Sequence, residues 1–318
     1  MSKGLNHPTK IRKIKSKHNP KRAKRNVLYK EQLTAQSQSL NTNNPINTTN
    51  NNGIIPLITC LGKDIFQSMN VQEQNQQISP ALLQRHSIQP ALRNKYINWM
   101  YCLCKSFGEE LEPFILSVYL FDSYIDKSNS IINVKDLELI SLTCVYISTK
   151  FELLIPPHIN TLTNCNSHIT SEQISQKETE VLTLTNFQLL YVTPFHYVKL
   201  FITDLQKNKQ DNKYTYFYER ICVFIAKFMI LDESFYKYKP SLNSIAVLIV
   251  GLDLLTTNSK QLPKDVGVFI AKWVIEIIRK NEYDYTVIQE IRAKLMSNWN
   301  NNKLHKCSML NNEELQFD

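Results

Sequence analysis

Residues 136–157 form an apolar run without a polar stripe, which ends at Lys150 and at the pair Pro156-Pro157. A helix that is hydrophobic on every side has to be buried on every side. The run therefore predicts the central helix of a helical domain. Pro156 disfavours the α conformation of the residue before it, so the helix should end near residue 155. Lys150 then lies in the last turn, where the helix dipole favours a cation.

The hydrophobic pattern predicts further helices on both sides of this run. A short helix is expected over residues 61–73, and a group of five over residues 90–190, whose first helix places apolar residues on one side. The last helix of that group opens with Thr170 and Gln173, the spacing of a capping box. A second group starts at Thr193-Pro194 and includes another apolar helix at residues 242–255.

Composition and charge change this picture mainly at the N-terminus. Glycine accounts for only 6 of 318 residues, which argues against a turn-rich β architecture. Residues 1–30 hold 11 Lys and Arg and no acid, so the other residues hold 37 − 11 = 26 bases against 28 acids. The net charge of +9 therefore belongs to a tail, and a nucleic-acid-binding body is not indicated. Residues 1–55 are expected to be disordered, with a linker of Asn and Thr at 41–53.

No pattern indicates a membrane span, a metal site or a catalytic site. The seven cysteines form no CxxC pair, and the phosphate-binding patterns GxxxxGK[ST] and GxGxxG are absent. No apolar run is expected to reach the ~18 residues of a membrane helix, and the basic N-terminus has no apolar signal segment. We expect an intracellular, soluble protein that binds no cofactor.

The apolar run and four further motifs resemble the cyclin box. Residues 147–153 are similar to its A-S-K-[YF]-E-E ending, with Leu153 in place of the second Glu. Residues 92–99 are similar to M-R-A-I-L-x-x-W, and residues 177–187 to M-E-x-x-[IVL]-L-x-x-L-x-F. Asp122 and Leu139 match the second-helix Asp and a third-helix Leu of the family.

The resemblance extends to a second cyclin fold. Residues 231–241 are similar to the family's L-D-x-x-[FY]-x-x-[FY]-x-P-S, and residues 61–66 and 291–308 to the ends of A/B-type mitotic cyclins. The resemblance implies an all-α protein of two tandem five-helix folds, with a tail at 1–55 and domains at 56–190 and 191–310. The region 260–266 is short, which predicts that the fourth helix of the second fold is reduced to a turn.

The resemblance implies a regulatory protein that binds a cyclin-dependent serine/threonine kinase and is not itself an enzyme. In the family, the residues matching Lys150 and Glu178 hydrogen-bond the backbone of the kinase's regulatory helix. Apolar contacts on that face are expected from Ile65, Phe187 and Leu189. For these three, core packing is the competing interpretation.

Two further sets of residues follow from the resemblance. Arg93 and Asp122 match an internal ion pair that joins the first two helices and is structural. A substrate-docking patch for peptides that carry a basic residue and a leucine matches Leu92, Tyr96, Trp99, Leu137 and Glu138. Lys95 replaces an Ile in this patch, and Cys102 stands where an acid is usual. We expect Lys95 to repel a basic peptide.

Two other classes of function stay open. One is a transcription-type cyclin, and the other is a transcription initiation factor with paired cyclin folds, which would need a zinc ribbon and a basic body. The mitotic type implies regulation of the cell cycle at G2/M, in the nucleus and cytoplasm. No membrane and no direct nucleic-acid partner is expected.

Overall fold

A computed structural model describes residues 60–108, 111–165, 168–207, 212–258 and 264–300. Most of these residues lie in helices, and no strand occurs among them. The described residues belong to one compact unit. The predicted disorder of residues 1–55 and the C-terminal motif at 306–308 lie outside the described residues.

Six α-helices and a short 3-10 helix (Gln84–His86) precede residue 190 in the described part of the chain. Helix α1 spans Cys60–Gln74, and it is followed by α2 (Pro90–Ser106), α3 (Glu112–Lys127), α4 (Asp136–Glu152), the short α5 (Ile159–Thr163) and α6 (Ser171–Leu184). Helix α4 packs against α2, α3 and α6, and its middle turns are buried on all sides. The predicted central helix is confirmed, although it ends at Glu152 because Leu153 is already extended. The predicted capping box is also confirmed, since Thr170 and Gln173 each accept a bond from the other's backbone N–H.

The second group of helices consists of α7 (Pro194–Lys207), α8 (Asn212–Ile230), α9 (Pro240–Asn258), α10 (Lys264–Lys280) and α11 (Tyr285–Asn300). Helix α9 occupies the centre and packs against the other four. The sequence interpretation missed its length: Pro240–Thr257 is long and apolar enough to cross a membrane, with a mean hydropathy of 1.5. Burial of 61% of this window within the fold accounts for that composition.

The expectation that the fourth helix of this group is reduced to a turn was wrong. Helix α10 has 17 residues. Its buried residues recur at the spacing of one helix face that packs on α9, namely Val266, Ile270, Trp273, Val274 and Ile277. Of the region 260–266, the described residues 264–266 belong to the first turn of this helix.

Helix α1 comes before the first fold in sequence but packs on the second. The ring of Phe66 lies 5.9 Å from that of Tyr197 and 5.8 Å from that of Phe201, both on α7. The buried carboxylate of Glu73 accepts hydrogen bonds from the backbone N–H of Ser241 at 3.0 Å and from its hydroxyl at 2.9 Å. Glu73 therefore supplies a partner for an N–H in the first turn of α9, which has none within the helix.

A buried ion pair joins α2 to α3 and extends to the second fold. Both Arg93 and Asp122 are fully buried, and the guanidinium donates two hydrogen bonds to the carboxylate at 2.9 and 2.6 Å. The hydroxyl of Tyr236 donates to the same carboxylate at 2.6 Å, and Arg93 donates to the carbonyl of Ile230 at 3.1 Å. Burial opposes the charge of Arg93, but attraction by Asp122 raises its pKa above the ordinary value.

We predict that loss of the carboxylate charge destabilises the protein more than loss of the tyrosine hydroxyl. Asp122→Asn removes the main counter-charge of a buried arginine and leaves it only Glu233, 3.9 Å from the guanidinium, which should lower the free energy of unfolding by about 3–5 kcal/mol. Tyr236→Phe removes one hydrogen bond to a charged group and should cost about 1.5–3 kcal/mol. Urea denaturation followed by circular dichroism measures both.

The matched control is Tyr238→Phe, because the Tyr238 hydroxyl bonds the exposed carboxylate of Glu290. Tyr238→Phe should change the free energy of unfolding by no more than about 0.5 kcal/mol, as surface substitutions usually do. Equal effects of Tyr236→Phe and Tyr238→Phe would contradict a stabilising role for the buried network.

One buried carboxylate predicts a pH-dependent stability. Asp204 of α7 is buried near Trp273 of α10, and burial raises its pKa to about 6, although Trp273 and the cations of Lys207 and Lys280 oppose the rise. The folded state therefore holds this proton more tightly than the unfolded state. The contribution of Asp204 is most favourable below its ordinary pKa and is lost as pH rises through about 6.

We predict that Asp204→Asn stabilises the protein more at pH 7.5 than at pH 5. The two effects on the free energy of unfolding should differ by about 1 kcal/mol, because one pKa unit corresponds to about 1.4 kcal/mol. Denaturation of both proteins at both pH values gives this difference. The contributions of the other titrating groups to the free energy of unfolding cancel, because both proteins contain them. An equal effect at the two pH values would refute the assignment.

Candidate functional site

Lys150 and Glu178, singled out in the sequence, lie together in the structure. Lys150 is in the last turn of α4, and its ammonium donates a hydrogen bond to the carboxylate of Glu178 on α6. The lysine side chain is 39% exposed and that of the glutamate 16%. The ammonium also lies 4.4 Å from the ring centroid of Tyr146, one helical turn earlier. Packing of α4 against α6 therefore presents an ion pair at the surface.

The apolar residues predicted beside this pair differ in exposure. Ile65 on α1 and Phe187 after α6 are exposed, whereas Leu189 is partly buried and packs against the core. For Leu189, the structure therefore shows core packing together with a partly accessible surface.

The sequence interpretation missed four exposed apolar residues in the segments that follow the pair. Leu154 is 86% exposed, and Phe151, Ile155 and Leu190 are exposed as well. Residues 153–157 lie beyond the end of α4, so the helical periodicity could not assign them to a buried or an exposed face. The sequence does contain a signal for two of them, namely three consecutive apolar residues at 153–155 before two prolines. Solvent-exposed loops are usually built from Gly, Pro, Asn, Asp and Ser, so an apolar triplet in a loop is unusual. Several large apolar side chains exposed near one ion pair are typical of an interaction surface.

Phe187 is held outward by an unusual backbone conformation. Helix α6 ends with the N–H of Phe187 bonded to the carbonyl of Leu182 at 2.8 Å, the long-range bond of a Schellman motif. Asn186 and Phe187 have φ values of 54° and 53°, in the left-handed region that bulky residues rarely adopt. The Phe187 side chain is 66% exposed. Strained backbone that carries an exposed aromatic residue is typical of functional surfaces.

The predicted docking patch occupies the face between α2 and α4. Leu92, Tyr96 and Trp99 are half-buried on α2, and Glu138 is exposed in the first turn of α4. Burial raises the pKa of Tyr96, and the negative charge of Glu138 adds to the rise, so these two groups are neighbours. Leu137 is fully buried and offers no surface to a peptide, because it points into the core beneath the patch.

No group of three or more His, Cys, Asp or Glu side chains that could hold a metal ion occurs among the described residues. Cys104, Cys144 and Cys222 are buried, and burial raises the pKa of each thiol. These thiols are packing groups, not nucleophiles.

Comparison with known proteins shows which family these features belong to. The sequence model described as "Cyclin, N-terminal domain" matches residues 64–190, which include both members of the Lys150–Glu178 pair. Residues 64–190 therefore belong to the cyclin N-terminal domain family. The chain is 21% identical over 225 residues to cyclin-A2-3 of Arabidopsis thaliana, covering 70% of this chain and 45% of that protein. It is 22% identical over 232 residues to the G2/mitotic-specific cyclin-B2 of Oryzias javanicus, covering 68% and 57%.

Other relatives and one solved structure agree with this assignment. The putative cyclin-F3-2 of Oryza sativa subsp. japonica is 26% identical over 172 residues, covering 53% of this chain and 41% of that protein. The X-ray structure of a viral cyclin from herpesvirus saimiri covers 74% of this chain and 96% of its own, with a TM-score of 0.57 and 16% identity. That likeness shows the all-α cyclin fold. The chain spans less than half of the length of the rice and Arabidopsis relatives named here.

Proposed function

We propose that this chain is the regulatory subunit of a cyclin-dependent serine/threonine kinase and binds it through the surface around Lys150 and Glu178. The observation that carries the proposal is the exposed ion pair of α4 and α6, followed along the chain by outward apolar side chains. Its similarity to A- and B-type cyclins supports the same conclusion.

The chemistry of the pair suits a backbone as its ligand. A lysine ammonium has three N–H donors, and a carboxylate accepts several hydrogen bonds, so the bond between Lys150 and Glu178 leaves capacity on both groups. Lys150 can donate to backbone carbonyls of the kinase, and Glu178 can accept from its backbone N–H groups. Such charge-assisted bonds are about twice as strong as neutral ones.

The exposed apolar residues suit the remaining contact. An exposed ion pair by itself contributes little to binding, about 0–1 kcal/mol, because water competes for both charges. Phe187, Leu154 and Leu190 supply apolar area whose burial would exclude water from the pair. Exclusion of water strengthens the charge-assisted bonds at the centre of an interface.

The proposed action is conformational. Binding fixes the regulatory helix of the kinase, so that the kinase's own Lys–Glu ion pair forms and phosphoryl transfer can proceed. In this reading, ATP and the catalytic groups belong to the kinase. We further propose a role in the cell cycle at G2/M, with substrate choice contributed by the α2–α4 patch and with the protein present in nucleus and cytoplasm.

The competing class is a transcription-type cyclin or a transcription initiation factor with paired cyclin folds. An initiation factor that binds DNA needs a positively charged folded region, whereas residues 31–318 contain 26 Lys and Arg against 28 Asp and Glu. The mitotic assignment is favoured by the named A- and B-type relatives. Identification of the kinase that co-purifies with the tagged protein separates these classes.

We predict that Lys150→Ala combined with Glu178→Ala lowers kinase activation at least about tenfold, because truncated partners at a desolvated interface cost about 2–5 kcal/mol. Tagged protein is purified from its own cells, and the bound kinase and its phosphate transfer to a serine-containing peptide are measured. Helical circular dichroism should be unchanged, since the pair lies at the surface.

The matched control removes another exposed ion pair, which lies in the second fold. It joins Lys237 Nζ and Glu290 Oε1, which are 3.0 Å apart. The Lys237→Ala, Glu290→Ala protein should activate the kinase as wild type does. Full activation by the Lys150→Ala, Glu178→Ala protein would refute the proposed binding surface.

We predict that the basic tail directs nuclear import. Residues 10–25 contain nine Lys and Arg and no acid, which is typical of a localisation signal. Deletion of residues 1–30 should shift a fluorescent fusion from nucleus to cytoplasm and leave kinase activation intact. Nuclear accumulation of the truncated protein would assign import to the kinase partner.

The same tail contains Arg25-Asn26-Val27-Leu28, which matches the R-x-x-L destruction box of mitotic cyclins. Arg25→Ala with Leu28→Ala should extend the lifetime of the protein through mitosis, measured by immunoblot of synchronised cells. An unaltered mitotic loss would exclude this segment as the degradation signal.

A further inference from the structure

A cavity of about 770 Å³ lies where the two folds meet. Helix α3 of the first fold forms one wall, and α8 with the start of α9 in the second fold forms another. The segment that follows α1 also borders the cavity. Binding sites for small molecules are typically clefts of about 300–1,000 Å³ and are common at the interfaces of domains. The volume and the position of this cavity are therefore those of a ligand site.

Apolar side chains from both folds line much of the cavity. Ile115 and Val118 of α3 and Met229 of α8 are buried and line it, and the rings of Tyr119 and Phe195 are part of the lining as well. Burial of apolar surface is the main source of affinity in such a cavity. Aromatic walls favour a planar ligand, because rings attract each other when they stack or meet edge to face.

The charged residues of the lining hold no concentrated charge of one sign. The carboxylates of Glu73 and Asp232 accept hydrogen bonds from neighbouring side chains, and Lys237 forms an ion pair. The two other charged residues of the lining, Asp126 and Lys239, have opposite signs. The lining therefore favours a neutral ligand over an ion.

One buried polar atom of the lining has no hydrogen-bond donor. Asn243 of α9 is only 4% exposed, and its amide nitrogen donates to the carbonyls of Phe235 at 3.0 Å and Tyr238 at 3.4 Å. Both neighbours are acceptors, so the nitrogen has to face them and the amide cannot be turned over. Asn243 Oδ1 receives no hydrogen bond from any described residue. A buried acceptor without a donor is rare in native proteins, and this one belongs to a residue that lines the cavity.

We propose that the cavity between the two folds binds a small, neutral, planar aromatic molecule that donates one N–H or O–H to Asn243 Oδ1. Such a ligand would contact α3 of the first fold together with α8 and α9 of the second, and would stabilise the contact between them. The proposal is independent of kinase binding, because neither Lys150, Glu178 nor Phe187 lines the cavity.

Indole and benzofuran test the proposal, because the two molecules have the same shape and only indole has an N–H. Isothermal titration of the full chain without kinase should show one saturable site for indole. Benzofuran should bind about tenfold more weakly, since it places an oxygen where Asn243 Oδ1 needs a donor; tenfold corresponds to about 1.4 kcal/mol. Saturating indole should also raise the midpoint of thermal unfolding, because a ligand that binds only the folded state stabilises it.

A variant that fills the cavity locates the site. Ala226 of α8 is buried and lines the cavity, so Ala226→Leu places a larger side chain in the space of the ligand and should weaken indole binding at least about fivefold. The matched control is Ala293→Leu, the same change at an exposed position of α11, which should leave the affinity unchanged.

A second variant tests the acceptor itself. Asn243→Leu removes Oδ1, so indole and benzofuran should bind this protein equally well. The substitution also removes the bonds to Phe235 and Tyr238, so circular dichroism has to show that the variant is folded. If it is not folded, the comparison of the two ligands on wild type and on Ala226→Leu decides the question.

Three results would overturn the proposal: no saturable binding of indole, equal affinity of wild type for indole and benzofuran, or unchanged indole affinity of the Ala226→Leu protein. Titration with N-acetyltryptophanamide separates a small molecule from a protein segment. If this amide binds and indole does not, the cavity receives a tryptophan of a partner protein and the small-molecule proposal is wrong.

Discussion

The arrangement of both folds depends on one buried charge, the carboxylate of Asp122. It receives two hydrogen bonds from Arg93 on α2 and a third from Tyr236, which belongs to the 3-10 helix at Glu233–Lys237. A carboxylate without water must have its lone pairs occupied, so each donor has to stay where it is. Helix α2, helix α3 and the segment between α8 and α9 of the second fold are thereby held in one geometry.

The two ion pairs of the first fold show how position separates structure from function. The Arg93–Asp122 pair is fully buried. Removal of either partner would leave the other as a buried charge without its main counter-charge. The Lys150–Glu178 pair lies at the surface, with its lysine exposed and its glutamate partly buried, and the folded state gains little from it. Phe187 belongs with the second pair, because its exposed ring and left-handed backbone do not contribute to the core.

The sequence predicted the features that local pattern determines. The uniform apolarity of α4, the capping box at Thr170 and the helix start at Pro194 each depend on residues close together in the chain. The Arg93–Asp122 pair and the neighbourhood of Lys150 and Glu178 came from the family resemblance. Helix α10 was missed because the region 260–266 was taken as the place of the fourth helix, whereas it includes only the first turn of that helix.

Other features could not be predicted because they depend on long-range packing. Tyr236 reaches Asp122 across 114 residues, and no local pattern marks a tyrosine as a donor to a distant carboxylate. Exposure of Leu154 and burial of Leu137 follow from where α4 begins and ends relative to its neighbours. The same composition fits a core residue and an interface residue, because both are apolar.

The bond between Glu73 and Ser241 has a consequence for biosynthesis. It joins residues 168 positions apart, so the ribosome completes α1 long before the helix that it caps. At about 5–20 residues per second, the interval is on the order of ten to thirty seconds. During this time Phe66 and the carboxylate of Glu73 have no second fold to pack on, and the apolar side of α1 stays exposed on the nascent chain. The late closure of so long a loop also raises the contact order, which slows the final folding step.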